Sequence, residues 1–183
     1  MPRIFLACLT LAGLAALTPV VAWAERADRD KPMNVESDRL DHDDLRQVSV
    51  FVGRVVLTKG TLILKGDRIE VREDPQGFQF GQVIPKPGEK AFYRQKREGV
   101  NEWIEGQADR IEYDGKADVV TLIRDARLRR YMGTQLNDEF TGERIVYENP
   151  KDQFSIFSGN DNRGDKASNR VRAVLTPKRQ NQP

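Results

Sequence analysis

Apolar and polar residues alternate along many short segments of the chain after residue 31. Leu62 and Leu64 show this two-residue spacing, and so do Ile111 and Tyr113 further along. A period of two is typical of a β-strand with one face against a core. Turn sequences such as Asp-Pro-Gln-Gly at 74–77 separate the segments, and the spacing of an amphipathic helix is not found. The pattern predicts an all-β protein, built as a sandwich, a barrel or a jelly roll.

The strand pattern also repeats. A small residue, an acid, an arginine and an aliphatic residue follow one another at 37–40, 66–69, 108–111 and 142–145. Displacing the sequence by 71 residues aligns the first motif with the third, and a displacement of 76 aligns the second with the fourth. Such a repeat predicts similar β-units stacked side by side, because each unit buries apolar surface against its neighbour.

Two segments lie outside the repeat. Residues 76–99 hold Phe78, Phe80 and Phe92 among prolines and glycines, and we predict a hairpin with a long loop there. The polar tail at 177–183 is predicted to be disordered.

The first 24 residues are the most hydrophobic part of the chain. Arg3 precedes an apolar run over 4–17, and the sequence Ala-Trp-Ala at 22–24 offers a small-x-small cleavage site. This layout is typical of a secretory signal peptide. The run is shorter than the roughly 20 residues that cross a bilayer, and Cys8 lies too early in it for lipid attachment. We predict cleavage after residue 24, export to the periplasm and a mobile segment at 25–31.

Composition limits the chemistry of the remaining 159 residues. In the whole chain, 30 Lys and Arg balance 28 Asp and Glu, which argues against a nucleic-acid binder. One His and one Cys exclude most metal sites and any disulfide framework. The apolar fraction falls to about one third after residue 24, below the level usual for a thick core. A thin apolar interior suits a trough for an acyl chain, with Lys and Arg at its rim for anionic groups.

Candidate catalytic groups are few, and neither a cofactor nor an enzymatic activity is predicted. His42 stands among three acids at 41–44, where a solvated turn is favoured over a general base or a metal ligand. The acid and the arginine of the repeated motif are adjacent, so on a strand they point to opposite faces and suit an architectural role. Glycoside hydrolysis is the catalytic alternative. It would need two carboxylates about 5–9.5 Å apart, for example Asp67 and Asp109.

Three segments together resemble the OstA-like family. They are Pro-Met-Asn-Val-Glu-Ser-Asp at 32–38, Phe-Val-Gly-Arg-Val-Val-Leu-Thr-Lys-Gly at 51–60 and Leu-Lys-Gly-Asp-Arg-Ile at 64–69. The resemblance covers about residues 31–176. One departure is Arg54, where the family usually has Asn.

The resemblance implies a half-open, twisted β-jelly roll, as a single domain over 32–176. It also implies a non-enzymatic carrier of lipopolysaccharide, with the acyl chains of lipid A in its apolar interior. Units of this family join head to tail into a bridge across the periplasm. The partners implied are an LptC-type protein of the inner membrane and an LptD-type translocon of the outer membrane.

The resemblance and the alternation together assign residues to an acyl groove and to two joining edges. Family positions in the groove match Met33, Val35 and Phe92. Alternation adds an inward set of Phe51, Val55, Leu57, Leu62, Leu64, Ile69, Val71, Ile111, Tyr113, Ile145 and Tyr147. The predicted edges are the first strand (Met33, Asn34, Val35, Glu36 and Ser37) and the last (Val171, Arg172, Ala173, Val174 and Leu175). The alternative function is a structural or adhesive β-repeat protein without a lipid, which a closed interior would favour.

Overall fold

The computed structural model describes residue 28 and residues 31–97, 99–159 and 170–177. The predicted signal peptide lies outside this part, as do most of 25–31 and of the tail. Within the described residues the chain forms twelve β-strands and one 3-10 turn, Asn149–Lys151, and no helix there is long and apolar enough to cross a membrane. The strands are β1 Met33–Glu36, β2 Arg39–Asp43, β3 Val48–Lys59, β4 Leu62–Glu73, β5 Gln79–Ile84, β6 Ala91–Lys96, β7 Glu102–Ala108, β8 Arg110–Asp114, β9 Val119–Met132, β10 Gln135–Glu148, β11 Gln153–Phe157 and β12 Arg172–Leu175.

Four long strands, β3, β4, β9 and β10, each contribute to two layers of one antiparallel sheet. One half of each lies in the first layer with β2, β5, β8 and β11, and the other half lies in the second layer with β1, β6, β7 and β12. The strand register shifts where β3 passes from one layer to the other, between Val52 and Val55. We call this folded edge the spine, and the opposite edge, where the turns such as 44–47 and 60–61 lie, the mouth. The chain is therefore an all-β jelly roll.

The predicted repeat is confirmed by the backbone. Gly53 and Arg54 have φ of +83° and +50°, and Arg124 and Asp125, 71 residues later, have +63° and +45°. The link before each pair is also the same, since the Asp38 N–H donates to the Gly53 carbonyl at 3.1 Å and its counterpart Asp109 to Arg124 at 3.0 Å. Strands β1–β6 and β7–β12 are thus two copies of one six-strand unit.

The hairpin predicted at 76–99 is wrong, because β5 and β6 lie in different layers. Strand β5 pairs with β4 and β8 in the first layer, and β6 pairs with β4 and β7 in the second. The proline-rich loop at 85–90 carries the chain around the spine. The two strands close the first unit as β11 and β12 close the second, so this segment belongs to the repeat.

Residue size explains how the two layers meet at the spine. Ala91, Ala108 and Ala126 face inward there with at most 1% of their surface exposed. A Cβ on Gly66 would lie 2.6 Å from Val83 Cγ1, and one on Gly142 would lie 2.6 Å from Ile156 Cγ2. Small residues let the layers approach closely at the spine, while the large apolar residues fill the space further out.

Candidate functional site

The apolar interior lies between the two layers and runs along the whole stack of strands. Leu57, Leu64 and Leu128 of the second layer belong to one buried cluster with Ile69 and Leu122 of the first. Ten of the predicted inward residues are buried, with 8% or less of their surface exposed: Val55, Leu57, Leu62, Leu64, Ile69, Val71, Ile111, Tyr113, Ile145 and Tyr147. Phe51, Met33 and Val35 are half-buried and pack against this cluster from the β1–β2 end. Their contact with a lipid stays a prediction.

Phe92 does not take its predicted inward position. On β6 the buried residues are Ala91, Tyr93 and Gln95, and Phe92 lies on the outer face, with the Lys65 ammonium 5.7 Å from its ring centre. The inward aromatic is Tyr93, which is fully buried. The sequence pattern does not reveal this, because a strand is recognised from apolar residues at every second position. The next inward residue after Tyr93 is the polar Gln95, which is also buried.

Polar groups accompany the apolar ones where the interior reaches the mouth. The Tyr93 hydroxyl donates to Gln95 Oε1 at 3.0 Å, and Gln95 Nε2 donates to the carboxylate of Asp28 at 2.9 Å. Asp28 also accepts from the Thr61 N–H at 2.7 Å, so this residue is held although it falls in the segment predicted to be mobile. Burial raises the pKa of Tyr93 well above its usual value, so the phenol stays neutral.

The two ends of the stack differ from its middle in having free strand edges. Among the described residues, β1 and β2 pair only with β3, and β11 and β12 pair only with β10. Strands β1 and β12 are two of these free edges, with Ser37 and Val171 just outside the strands, and their role in joining copies stays a prediction. Apolar surface is exposed at these ends, including 54% of Leu40 and 65% of Leu175. The free edges of β2 and β11 were not predicted from the sequence. Their repeat counterparts β8 and β5 have neighbours on both sides.

A family model described as "LptA/(LptD N-terminal domain) LPS transport protein" matches residues 34–153. The chain belongs to this family. The lipopolysaccharide export system protein LptA of Escherichia coli K12 is 31% identical over 170 residues, which cover 92% of this chain and 84% of the relative. LptH of Pseudomonas aeruginosa is 28% identical over 168 residues, 92% of each chain.

A solved structure leads to the same family. The crystal structure of LptH, described as the LptA-homologous periplasmic component of the lipopolysaccharide transport device of Pseudomonas aeruginosa, matches with a TM-score of 0.71 and 26% identity. The match covers 82% of this chain and 99% of LptH. It agrees with the predicted jelly roll, and membership of a family of transport proteins agrees with the predicted non-enzymatic role.

Arg54 stands at the position where the resemblance led us to expect an asparagine. Arg54 has a φ of +50°, in the left-handed region that asparagine tolerates better than most residues. Its guanidinium Nε donates to both carboxylate oxygens of Asp38 at 3.1 Å. The bend therefore holds a non-glycine residue in the left-handed region, with an ion pair to Asp38 in the link before β2.

Strand β12 is anchored to the second layer through Asp138. This carboxylate is 3% exposed, accepts from the Thr176 N–H at 3.0 Å and accepts from Arg130 Nε at 2.8 Å. Burial acts to raise the pKa of Asp138, but the Thr176 N–H and the Arg130 charge outweigh it, so the pKa lies below its usual value. The ionised carboxylate holds the end of β12, the strand at the predicted C-terminal edge.

The other candidate groups have structural partners. His42 Nδ1 lies 2.9 Å from Ser49 Oγ, and the described residues contain no cluster of His, Cys, Asp and Glu that would hold a metal ion. The acids proposed for hydrolysis lie at the spine, where Asp109 pairs with Lys90 at 2.6 Å and Asp67 lies 3.9 Å from Lys86.

The motif arginines lie on the outer face of the first layer. Arg68 pairs with Glu70 at 2.8 Å, and Arg110 pairs with Glu112 at 3.1 Å, in each case two residues along the same strand. The guanidinium of Arg144 stacks on Phe157, 4.4 Å from the ring centre. These contacts agree with the architectural role that the sequence analysis assigned to the repeated motif.

Proposed function

We propose that this protein carries lipopolysaccharide across the periplasm, with the acyl chains of lipid A held between the two layers. The observation that carries the proposal is an apolar interior that continues to two open ends. Val83 and Ile111 bury their side chains in the middle of this interior, while Leu40 and Ile156 continue it to the two ends with less cover. A ligand with long apolar chains gains most from such a path, and the E. coli relative is named as a lipopolysaccharide export protein.

Chains of this protein join head to tail in the proposed bridge. The two internal units already form such a junction, in which Val83 of β5 lies opposite Ile111 of β8, and Tyr93 of β6 lies opposite Gly106 of β7. Applying the repeat to the free ends places β11 of one copy beside β2 of the next, and β12 beside β1. Strand addition of this kind satisfies the open backbone groups of both edges.

The internal junction also predicts the strand register of the proposed junction between two copies. Ile156 is the counterpart of Val83, and Leu40 is the counterpart of Ile111, so these two apolar residues would lie opposite each other. In the second layer Ala173 would lie opposite Val35, and Arg172 opposite Glu36. The exposed surface of Leu40 would then be covered. The pair of Arg172 and Glu36 would bring opposite charges together.

The joining register is tested with cysteines on the outer face. Asp41→Cys in one copy and Ser155→Cys in another correspond to the internal neighbours Glu112 and Gln82. Under mild oxidation we expect a disulfide between copies for this pair. The control pairs Ser155→Cys with Asp43→Cys, two residues out of register. Equal cross-linking of both pairs would contradict the proposed register.

The same edges suit the proposed membrane partners. The family description covers both LptA and the N-terminal domain of LptD. A unit of this family in an LptD-type translocon would therefore offer a β1–β2 edge to β11 and β12 of this protein. An LptC-type protein of the inner membrane would meet the opposite end, β1 and β2, in the same way.

The packed middle of the interior bears on the alternative function. Leu57, Leu64, Ile69 and Leu128 are fully buried by their own neighbours, as a structural β-repeat protein without lipid would also require. In the carrier function this packing is the closed state, and the layers separate when acyl chains lie between them.

Photo-crosslinking in cells tests whether lipopolysaccharide occupies the interior. A benzophenone amino acid at Val35, which is half-buried beside the apolar cluster, should form an adduct with lipopolysaccharide. The matched control is the same amino acid at Phe92, on the outer face of the second layer. An absence of adduct at Val35 would favour the structural alternative, and equal adducts at both positions would contradict an interior binding site.

A further inference from the structure

We propose that Arg97 and Asp152 form a clasp across the mouth, which holds the two layers together and opens before an acyl chain enters the interior. Arg97 follows β6 at the mouth of the second layer, and Asp152 precedes β11 at the mouth of the first. The inference rests on the proposed carrier function and assigns a regulating contact to the same interior.

The clasp is a bidentate ion pair with a third donor from the interior. Arg97 Nε donates to Asp152 Oδ1 at 2.8 Å, and a second guanidinium nitrogen donates to Oδ2. The hydroxyl of Tyr147, an inward residue of β10, donates to the same Oδ1 at 3.1 Å. Two parallel bonds between a guanidinium and a carboxylate are among the stronger hydrogen bonds in proteins.

Arg97 is held on its own layer while it reaches the other one. Its backbone N–H donates to the Glu102 carbonyl at 2.9 Å, and its guanidinium also pairs with the Glu102 carboxylate. Arg97 and Glu102 expose only 17% and 18% of their side chains, so water screens their charges less than on an open surface. The orientation of Arg97 is therefore set before it meets Asp152.

The position of the clasp distinguishes it from ion pairs on the outer faces. Arg94 and Glu105, 3.0 Å apart, join β6 to β7 within the second layer, and Arg129 and Glu139 join β9 to β10 in the same layer at 2.7 Å. Separation of the layers leaves those pairs intact. It breaks the contact between Arg97 and Asp152, because the two residues belong to different layers.

Buried aromatic residues lie directly behind the clasp. Tyr147 is 2% exposed and Tyr93 is not exposed at all. Burial raises the pKa of Tyr147, and the charge of Arg97 acts against that rise. An acyl chain that reaches the packed middle from the mouth has to displace this cover. The lifetime of the clasp would then set the rate of uptake, whereas the affinity depends on the apolar surface behind it.

Stopped-flow fluorescence with a dansyl-labelled fatty acid, and then with purified lipopolysaccharide, measures that rate on the full mature chain. We expect Arg97→Met and Asp152→Asn to speed uptake about tenfold, as loss of a partly buried charged hydrogen bond implies. The control is Arg94→Met, which removes an arginine ion pair on the outer face and should leave the rate unchanged. Thermal unfolding of each variant checks that the fold is kept.

A locked variant makes the opposite prediction. Arg97→Cys with Asp152→Cys, joined by a cleavable bis-maleimide, should lose uptake and recover it after cleavage. The cross-link is specific to these two positions, since Cys8 is the chain's only cysteine and lies in the predicted signal peptide. Unchanged rates in the two single variants, or uptake by the locked protein, would overturn the clasp alone. A wild-type protein that binds neither probe would overturn the carrier function itself, and the clasp with it.

Discussion

The junction between the two internal units and the open ends of the stack are built from equivalent strands. Inside, β5 and β8 bury Val83 and Ile111 completely, whereas at the ends their counterparts Ile156 and Leu40 are half-buried and 54% exposed. The difference lies in the neighbour and not in the strand, because each end lacks the strand that the junction supplies. An apolar end of this kind lowers solubility, and the proposed head-to-tail joining to a second unit would cover it.

The largest expected effect is on stability, and it distinguishes Ile111 of the internal junction from its counterpart Leu40 at the end. Ile111→Ala should lower the free energy of unfolding by about 3–4 kcal/mol, because it leaves a cavity in a packed core. Leu40→Ala should change it by less than about 1 kcal/mol. Urea denaturation monitored by circular dichroism measures both changes.

Self-association, in contrast to stability, should depend on Leu40 at the end and not on Ile111 at the internal junction. We expect Leu40→Asp to weaken head-to-tail joining in analytical ultracentrifugation, because it puts a charge at the proposed contact with Ile156. The monomer should keep its unfolding midpoint. An unchanged sedimentation profile would show that β2 is not a joining edge.

A smaller difference is expected at the two spine glycines. A methyl group on Gly66 would meet Val83 Cγ1 and the Ile84 carbonyl, and one on Gly142 would meet Ile156 and the Phe157 carbonyl at the same distances. Strand β5 is held between two neighbours, but β11 is an edge that can shift. Gly66→Ala should therefore cost about 2–3 kcal/mol and Gly142→Ala about 1 kcal/mol. Equal costs in chemical denaturation would mean that the edge is as rigid as the junction.

The anchor of β12 predicts a dependence on pH. The pKa of Asp138 is lowered in the folded chain, so its contribution is fully present above its unfolded pKa of about 3.9 and is lost as the pH falls through the lower, folded value. Asp138→Asn should cost about 1–2 kcal/mol at pH 7 and flatten the acid limb of the stability curve. Asp114→Asn, at a turn of the first layer, is the control. A variant with the wild-type acid limb would contradict this role.

The smallest effect is expected at Arg54, where the resemblance led us to expect an asparagine. Arg54→Asn should leave the thermal midpoint unchanged, because asparagine tolerates the positive φ while the ion pair that it removes is exposed. A clear loss of stability would show that the contact with Asp38 holds the bend.

The sequence predicts the features that depend on local periodicity. Inward residues such as Leu64 and Ile145 follow from alternation, and the two units follow from motifs recurring at a constant displacement. Phe92 was misplaced because Gln95, a buried amide, breaks the apolar pattern of β6. The clasp has no local signal, since Arg97 and Asp152 are 55 positions apart and meet only when the layers fold together. The edges of β2 and β11 were missed because position in a sheet depends on partners, which a strand's own residues do not specify.

Depletion of the protein in its own bacterium tests the carrier function most directly. Newly made lipopolysaccharide is pulse-labelled, and the inner and outer membranes are then separated by density. The proposed function predicts that the label stalls in the inner membrane and reaches the outer membrane again when the wild-type chain is restored. Arrival of the label at the outer membrane at the normal rate, in cells without the protein, would contradict it.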